Sequence, residues 1–176
     1  MAGDGARVVS LSSRGHFLSP IRFEDLGAGR PGFDPDAYDK WSAYGQAKTA
    51  NVLFAVELDR RLAAQGVRAF AVHPGVIATE LARHLDMADI EALQARSSGG
   101  ELRFKSTEAG AATSCYAATA PELDGMGARY LEDCALSEVD DSPDAVVGVR
   151  SHAVDPDAAA RLWAVSEEMV GETFDL

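Results

Sequence analysis

A serine, a tyrosine and a lysine are spaced in this sequence as proton chemistry at an oxygen atom would need them. Tyr44 and Lys48 stand four residues apart in SAYGQAKTANVLF, a stretch beginning at Ser42. On a helix that spacing puts both side chains on one face, with Cβ atoms about 5–6 Å apart. A free phenol has a pKa of about 10 and is a poor base at neutrality. A neighbouring ammonium favours the phenolate, so such a pair can exchange a proton with an alcohol or carbonyl oxygen nearer neutral pH. Ser13 follows the apolar run RVVSLS and offers a hydroxyl to hold that same oxygen. No side chain carries hydride, so oxidation or reduction at that carbon would need a cofactor. In isolation the Tyr–Lys spacing fits one turn of an ordinary amphipathic helix equally well.

The elements that must position these residues are legible. Arg7 to Ser12 reads as a buried strand opening into the polar cluster Ser12, Ser13, Arg14 and Gly15. Residues 18–41 carry several Gly, Pro and Asp and read as an irregular connection. Ser42 is a plausible N-cap, followed by Tyr44, Ala47, Asn51, Phe54, Leu58 and Leu62 at helical steps and stopped by Gly66. VRAFAVHPG, residues 67–75, is a second strand. Residues 80–104 read as a helical excursion. Ser106 or Thr107 caps a further helix ended by Pro121, and GARYLEDC, residues 127–134, is a third strand. Residues 137–154 read as loop, and Asp155 caps a last helix with Pro156 in its first turn. Strands alternating with helices predict a parallel sheet with helices on its faces. In such sheets ligands bind beyond the carboxyl ends of the strands. Ser13, Pro74, Gly75 and Tyr44 all fall there.

Composition excludes several classes. The 176 residues suit one domain, residues 1–176, and 47% hydrophobic with 25% charged is an ordinary globular balance. The net charge of −12 disfavours nucleic acid, which needs clustered Lys and Arg, and an anionic membrane surface for the same reason. Cys115 and Cys134 belong to no metal-ligand pattern, and no metal is expected. No signal peptide or transmembrane run is visible, which predicts a cytoplasmic protein. Cys115 is expected as core filler and Cys134 as buried at a strand end. His16 is expected on a surface loop, and His73 packed at a strand end.

RVVSLSSRGH, then YGQAK, then AVHPGVIATEL follow in an order that resembles the short-chain dehydrogenase/reductase superfamily. The likeness is nearest to its retinol dehydrogenase and WW-domain oxidoreductase-like branch, through AKTANVLF and the later KSTEAGAATSCYAATAPELDGMGARYLEDC. It runs from about Arg7 onward. It implies a Rossmann-like, doubly wound α/β fold and an NAD(P)-dependent oxidoreductase acting on an alcohol or carbonyl. By that resemblance Tyr44 is the acid/base, Lys48 assists it and holds the nicotinamide ribose, and Ser13 orients the substrate oxygen. Pro74, Gly75 and Thr79 match PGxxxT, where the Ile77 backbone and the Thr79 hydroxyl would meet the cofactor. NADP is the branch's tendency over NAD.

The superfamily's TGxxxGxG turn lies well before the serine strand, whereas Met1 to Ala6 alone precede it here. Gly27, Gly29 and Gly32 spell GxGxxG, but Pro31 interrupts it and no strand leads into it, so it is expected to be a loop. The resemblance therefore implies the C-terminal portion of such an enzyme, a partial parallel sheet without the N-terminal dinucleotide-binding strands. Its parts would be a catalytic core at 7–79, a substrate lid at 80–104 and C-terminal elements at 105–176. Leu81, Leu85, Met87, Ile90 and Leu93 hint at a hydrophobic small-molecule substrate. A non-catalytic remnant or interaction subunit, forming a homo-oligomer or completed by an N-terminal chain, is the alternative. A serine hydrolase built on Ser13 is weak, because no GxSxG elbow is present.

Overall fold

The computed structural model describes residues 5–26, 34–77, 79–80, 86–89, 91 and 104–176. Strand β1 (Ala6–Leu11) leads into a 3-10 turn at Arg14–Leu18. Helix α1 (Lys40–Leu62) returns the chain to strand β2 (Val67–His73). Helix α2 (Thr107–Thr119) precedes strand β3 (Arg129–Glu132) and the two-residue β4 (Ala135–Leu136), and helix α3 (Pro156–Val170) follows.

The sheet order is β1-β2-β3-β4. β1 pairs parallel with β2 from Ala6↔Val67 to Leu11↔Val72, and β2 pairs parallel with β3 from Phe70↔Arg129 to His73↔Glu132. β4 turns back antiparallel on β3. The last five residues of β2 are buried, as expected of a central strand covered on both faces. Alternation along it splits the core. Ala69 and Ala71 face Val52, Ala55 and Leu58 of α1, with Tyr130, Val149 and Ala153, and Trp163 of α3 packs alongside. Phe70 and Val72 face Ala117, Ala120, Leu123 and Leu131 on the α2 side. Among the described residues β1 is an edge strand.

Several local readings need correction. Asp39, not Ser42, caps α1, accepting from the Ser42 N–H at 2.7 Å. The carboxylate sits one turn earlier and places Ser42 inside the helix. Of the residues at helical steps, Ala47 and Phe54 are exposed, and Thr49, Val52, Leu53 and Ala55 take the core. Phe54 stacks instead on Trp163 of α3, its ring 6.0 Å away. Cys115 is exposed on α2, because Gly110, Thr113 and Ala117 form the buried side of that helix. Cys134 is exposed in the β3–β4 turn, with φ of 57°. His16 is fully buried rather than on a surface loop, because the 3-10 turn folds it under the site. His73 is packed at the end of β2. The two caps read from sequence at Ser106 and Asp155 are both present. The GxGxxG run and most of 80–104, including Leu81, Leu85, Ile90 and Leu93, lie outside the described residues.

Candidate active site

Ser13, Tyr44 and Lys48 meet at the carboxyl end of β1, and a set of polar bonds explains why. Ser12 Oγ donates to the Lys48 carbonyl at 2.7 Å, and Ser10 Oγ donates to the Asn51 carbonyl at 3.0 Å. Asn51 Nδ2 donates back to the Leu11 carbonyl at 2.7 Å. The end of the serine strand is thus stitched to the helix that carries the tyrosine. Thr49, fully buried, adds a bond from its Oγ1 to the Ser19 carbonyl at 2.8 Å.

Two glycines let the pieces approach. A Cβ on Gly15 would lie 2.3 Å from Tyr44 Cε1, 2.8 Å from Cδ1 and 3.4 Å from Ser13 Oγ. The Tyr44 ring and the Ser13 hydroxyl therefore flank one small gap that only glycine leaves open. A Cβ on Gly45 would lie 2.8 Å from the Ser19 nitrogen and 2.9 Å from Leu18 Cβ, so α1 rests directly on the turn after Ser13. Ser13 caps that turn, its Oγ accepting from the Gly15 N–H at 3.0 Å. Lys48 Nζ lies 5.4 Å from the centre of the Tyr44 ring. All three side chains are half-buried, reachable from outside yet held.

Pro74 to Ile77 leave the end of β2, the strand paired with β1. Gly75 takes φ of 91°, a left-handed conformation that favours glycine. The Lys105 stem lies over it, with Cδ and Cε 2.7 Å from where a Cβ would stand. The Lys105 N–H donates to the Val76 carbonyl at 2.8 Å, and its ammonium pairs with Asp133. Ile77 docks its side chain against Gly110 of α2, and Thr79 is exposed. Beneath Ser13, His16 donates from Nδ1 to the Ser13 carbonyl at 2.7 Å. Burial pushes its pKa down to about 4, and the same cause lowers His73 to about 4. Both rings are therefore neutral at pH 7. Glu132 braces the far side, accepting from the Gly148 N–H at 2.5 Å and from Ser137 Oγ at 3.2 Å.

Sequence reasoning named Ser13, Tyr44 and Lys48 and missed the residues that support them: Gly15, Gly45, Asn51, His16 and Lys105. An asparagine inside an apolar helical stripe was the available signal for Asn51. A glycine directly after Tyr44 was the signal for Gly45. Nothing local marks Lys105, which reaches Gly75 from thirty residues away.

A strand ending in serines, a Tyr–Lys helix and the Pro74–Gly75 turn now stand at one end of a parallel sheet. Comparison with known proteins agrees with that arrangement. A protein of Streptomyces lividans named "probable oxidoreductase" is 43% identical over 163 residues, covering 90% of this chain and 53% of its own length. A short-chain dehydrogenase/reductase of Penicillium roqueforti is 35% identical over 166 residues, covering 94% of this chain and 47% of its own. The chain belongs to the short-chain dehydrogenase/reductase superfamily. Mouse retinol dehydrogenase 12 is 39% identical over 166 residues, 94% of this chain and 46% of its own. This short-chain dehydrogenase/reductase chain thus spans about half the length of the curated relatives it matches. Among solved structures, an uncharacterized protein of Mycobacterium paratuberculosis superimposes with a TM-score of 0.57 at 30% identity, over 98% of this chain and 53% of its own. No protein-family model matches the chain. Among the described residues no helix is long and apolar enough to cross a membrane.

Proposed function

We propose that this short-chain dehydrogenase/reductase chain carries the acid–base half of an NAD(P)-dependent oxidoreductase that interconverts an alcohol and a carbonyl. The observation that carries the reading is the shared gap at Gly15, where Tyr44 and the Ser13 hydroxyl converge with Lys48 beside them. Two hydroxyls and an ammonium form a donor set suited to oxygens, and this fits both a substrate oxygen and a cofactor ribose. Lys48, with the backbone at Pro74, Gly75 and Ile77 and the hydroxyl of Thr79, is the set that would hold the nicotinamide end. A bound nicotinamide supplies or accepts the hydride.

The chain's own residues do the rest. Ser13 Oγ already accepts from Gly15, so its hydrogen is free to be donated to the substrate oxygen. Tyr44 gives a proton to that oxygen in reduction and takes it in oxidation. The Lys48 ammonium stabilises negative charge developing on the phenol oxygen. NADP is favoured over NAD on the resemblance of the serine, YGQAK and PGVIAT segments to the retinol dehydrogenase branch, and a hydrophobic substrate on the same ground. The test is NADPH- and NADH-dependent turnover of apolar aldehydes and alcohols by wild type and Tyr44→Phe. The substitution is expected to cut kcat by about 10²–10⁴-fold and to leave cofactor affinity, measured by NADPH fluorescence, unchanged. Equal turnover in both proteins would sink the proposal.

The edge position of β1 favours a second reading, a non-catalytic interaction subunit that packs through that edge on a second copy or on a complementing N-terminal chain. Under it, sedimentation shows association, and Tyr44→Phe leaves the function of the assembly unchanged.

A further inference from the structure

His16 lies three residues after Ser13 and is fully buried, and both its ring nitrogens are engaged. Nδ1 sits 2.7 Å from the Ser13 carbonyl oxygen. A carbonyl only accepts, so Nδ1 carries the hydrogen. Nε2 lies 3.2 Å from the backbone nitrogen of Arg150, 134 residues downstream. That N–H only donates, so Nε2 is bare. One tautomer satisfies both contacts. The ring is held edge-on between Phe17, at 4.7 Å, and Tyr130, at 4.8 Å. The His16 carbonyl accepts from His152 Nε2 at 3.1 Å.

The Ser13 carbonyl also accepts from the His16 backbone N–H at 3.1 Å. The Ser13 peptide is therefore gripped from below by one residue, while its hydroxyl is fixed from the side by Gly15. We propose that His16 is the positioning residue for the Ser13 hydroxyl, and that the Arg150 backbone N–H selects the tautomer in which it can act. The Arg150 contact makes the loop before α3 part of the site's support. The inference rests on the oxidoreductase reading for its consequence in turnover, but its geometry is testable without turnover.

The Gly15 amide, bonded to Ser13 Oγ, is the reporter. In ¹⁵N-labelled protein its hydrogen exchange follows the hydroxyl's position, and the imidazole ¹⁵N shifts give the tautomer. His16→Leu fills the space without an N–H. It is expected to speed Gly15 exchange about tenfold and to lower kcat by about tenfold or more at unchanged KM, as a small misplacement of a reacting group does. His16→Asn offers an amide N–H in place of Nδ1–H and is expected to restore both to within about threefold. Arg150 has φ of −73°, which suits proline. Arg150→Pro deletes the N–H, whereas Arg150→Ala keeps it and, like proline, removes the guanidinium with its bonds to the Asp140 and Ser142 carbonyls and its place over the Phe17 ring, so the two variants differ at the N–H. The proline variant is expected to mix the imidazole tautomers, and the alanine variant to leave them fixed. If His16→Leu does not fold, the Arg150 pair decides. An unmoved Gly15 amide in both His16→Leu and Arg150→Pro overturns the proposal, as does an asparagine variant that behaves like leucine. Wild type with the expected tautomer but no hydride transfer refutes the oxidoreductase reading and leaves the positioning role standing.

Discussion

Lowering the pH from 7 to 5 should weaken this fold steeply, through two buried histidines. His16 is 0% exposed and His73 6%, and burial holds both pKa values at about 4 against 6.5 for a free imidazole. At His16 the bond to the Ser13 carbonyl favours protonation and His152, Arg150 and Arg14 oppose it; at His73 Arg14, Lys105 and His16 oppose it and Asp133 favours it. The folded pKa lies below the unfolded one, so the unfolded chain takes up the proton first. The stabilising effect is complete above about pH 6.5 and is lost as pH falls toward 4. Between pH 7 and pH 5 each histidine then removes about 1.8 kcal/mol, and the pair about 4 kcal/mol. That is a large part of the roughly 5–15 kcal/mol that holds a domain of this size together. The perturbed carboxylates, among them Glu57, Asp133 and Asp140, are shifted downward and titrate below this window. The assay is urea unfolding at pH 7, 6 and 5, followed by fluorescence of Trp41 and Trp163, on wild type, His16→Asn and His73→Asn. Each single variant should lose about a third to a half of the pH dependence, because burial lowers His152 as well. A loss below about 1 kcal/mol in wild type, or an identical slope in all three proteins, would refute the argument that these rings fold neutral.

Two further outcomes follow from contacts at the site. Gly15→Ala forces the Tyr44 ring away from a Cβ that would stand 2.3 Å from it, a shift of about 1 Å. It should lower kcat by about 10²-fold with little loss of stability, and unchanged kcat would show that ring placement does not limit the reaction. Tyr130 is 1% exposed, its hydroxyl has no hydrogen-bond partner among the described residues, and burial pushes its pKa up. Tyr130→Phe should therefore be neutral or raise stability by about 1 kcal/mol in urea melts, and a marked loss would reveal an acceptor for that hydroxyl.

The order of elements was readable because each signal was local. Asp155 followed by Pro156 opens α3 as the pattern demands, and Gly66 ends the α1 segment in a left-handed conformation, φ 78°. β4 escaped because two residues carry no periodicity. Asp39 escaped as a cap because Ser42 stood nearer the periodic run, although a carboxylate three residues earlier takes the Ser42 N–H and starts the helix there. The candidate trio of Ser13, Tyr44 and Lys48 was legible from residue types in order along the chain. The supports at His16 and Lys105 were not, because each depends on a contact across the fold, to Arg150 and to Gly75. His16 looked like a loop residue only because the 3-10 turn that buries it has no hydrophobic signature.

The bonds from Ser10 and Ser12 end on main-chain carbonyls of α1 rather than on side chains. They therefore fix the rotational phase of the helix whatever residues its other positions carry. Sliding α1 by one residue would turn it by about 100°, breaking both bonds together and swinging Tyr44 out of the gap at Gly15. The exposed side chains of the helix take no part in these two bonds. Their surface chemistry can drift, and with it whatever packs there, while the phenol keeps its bearing on the serine.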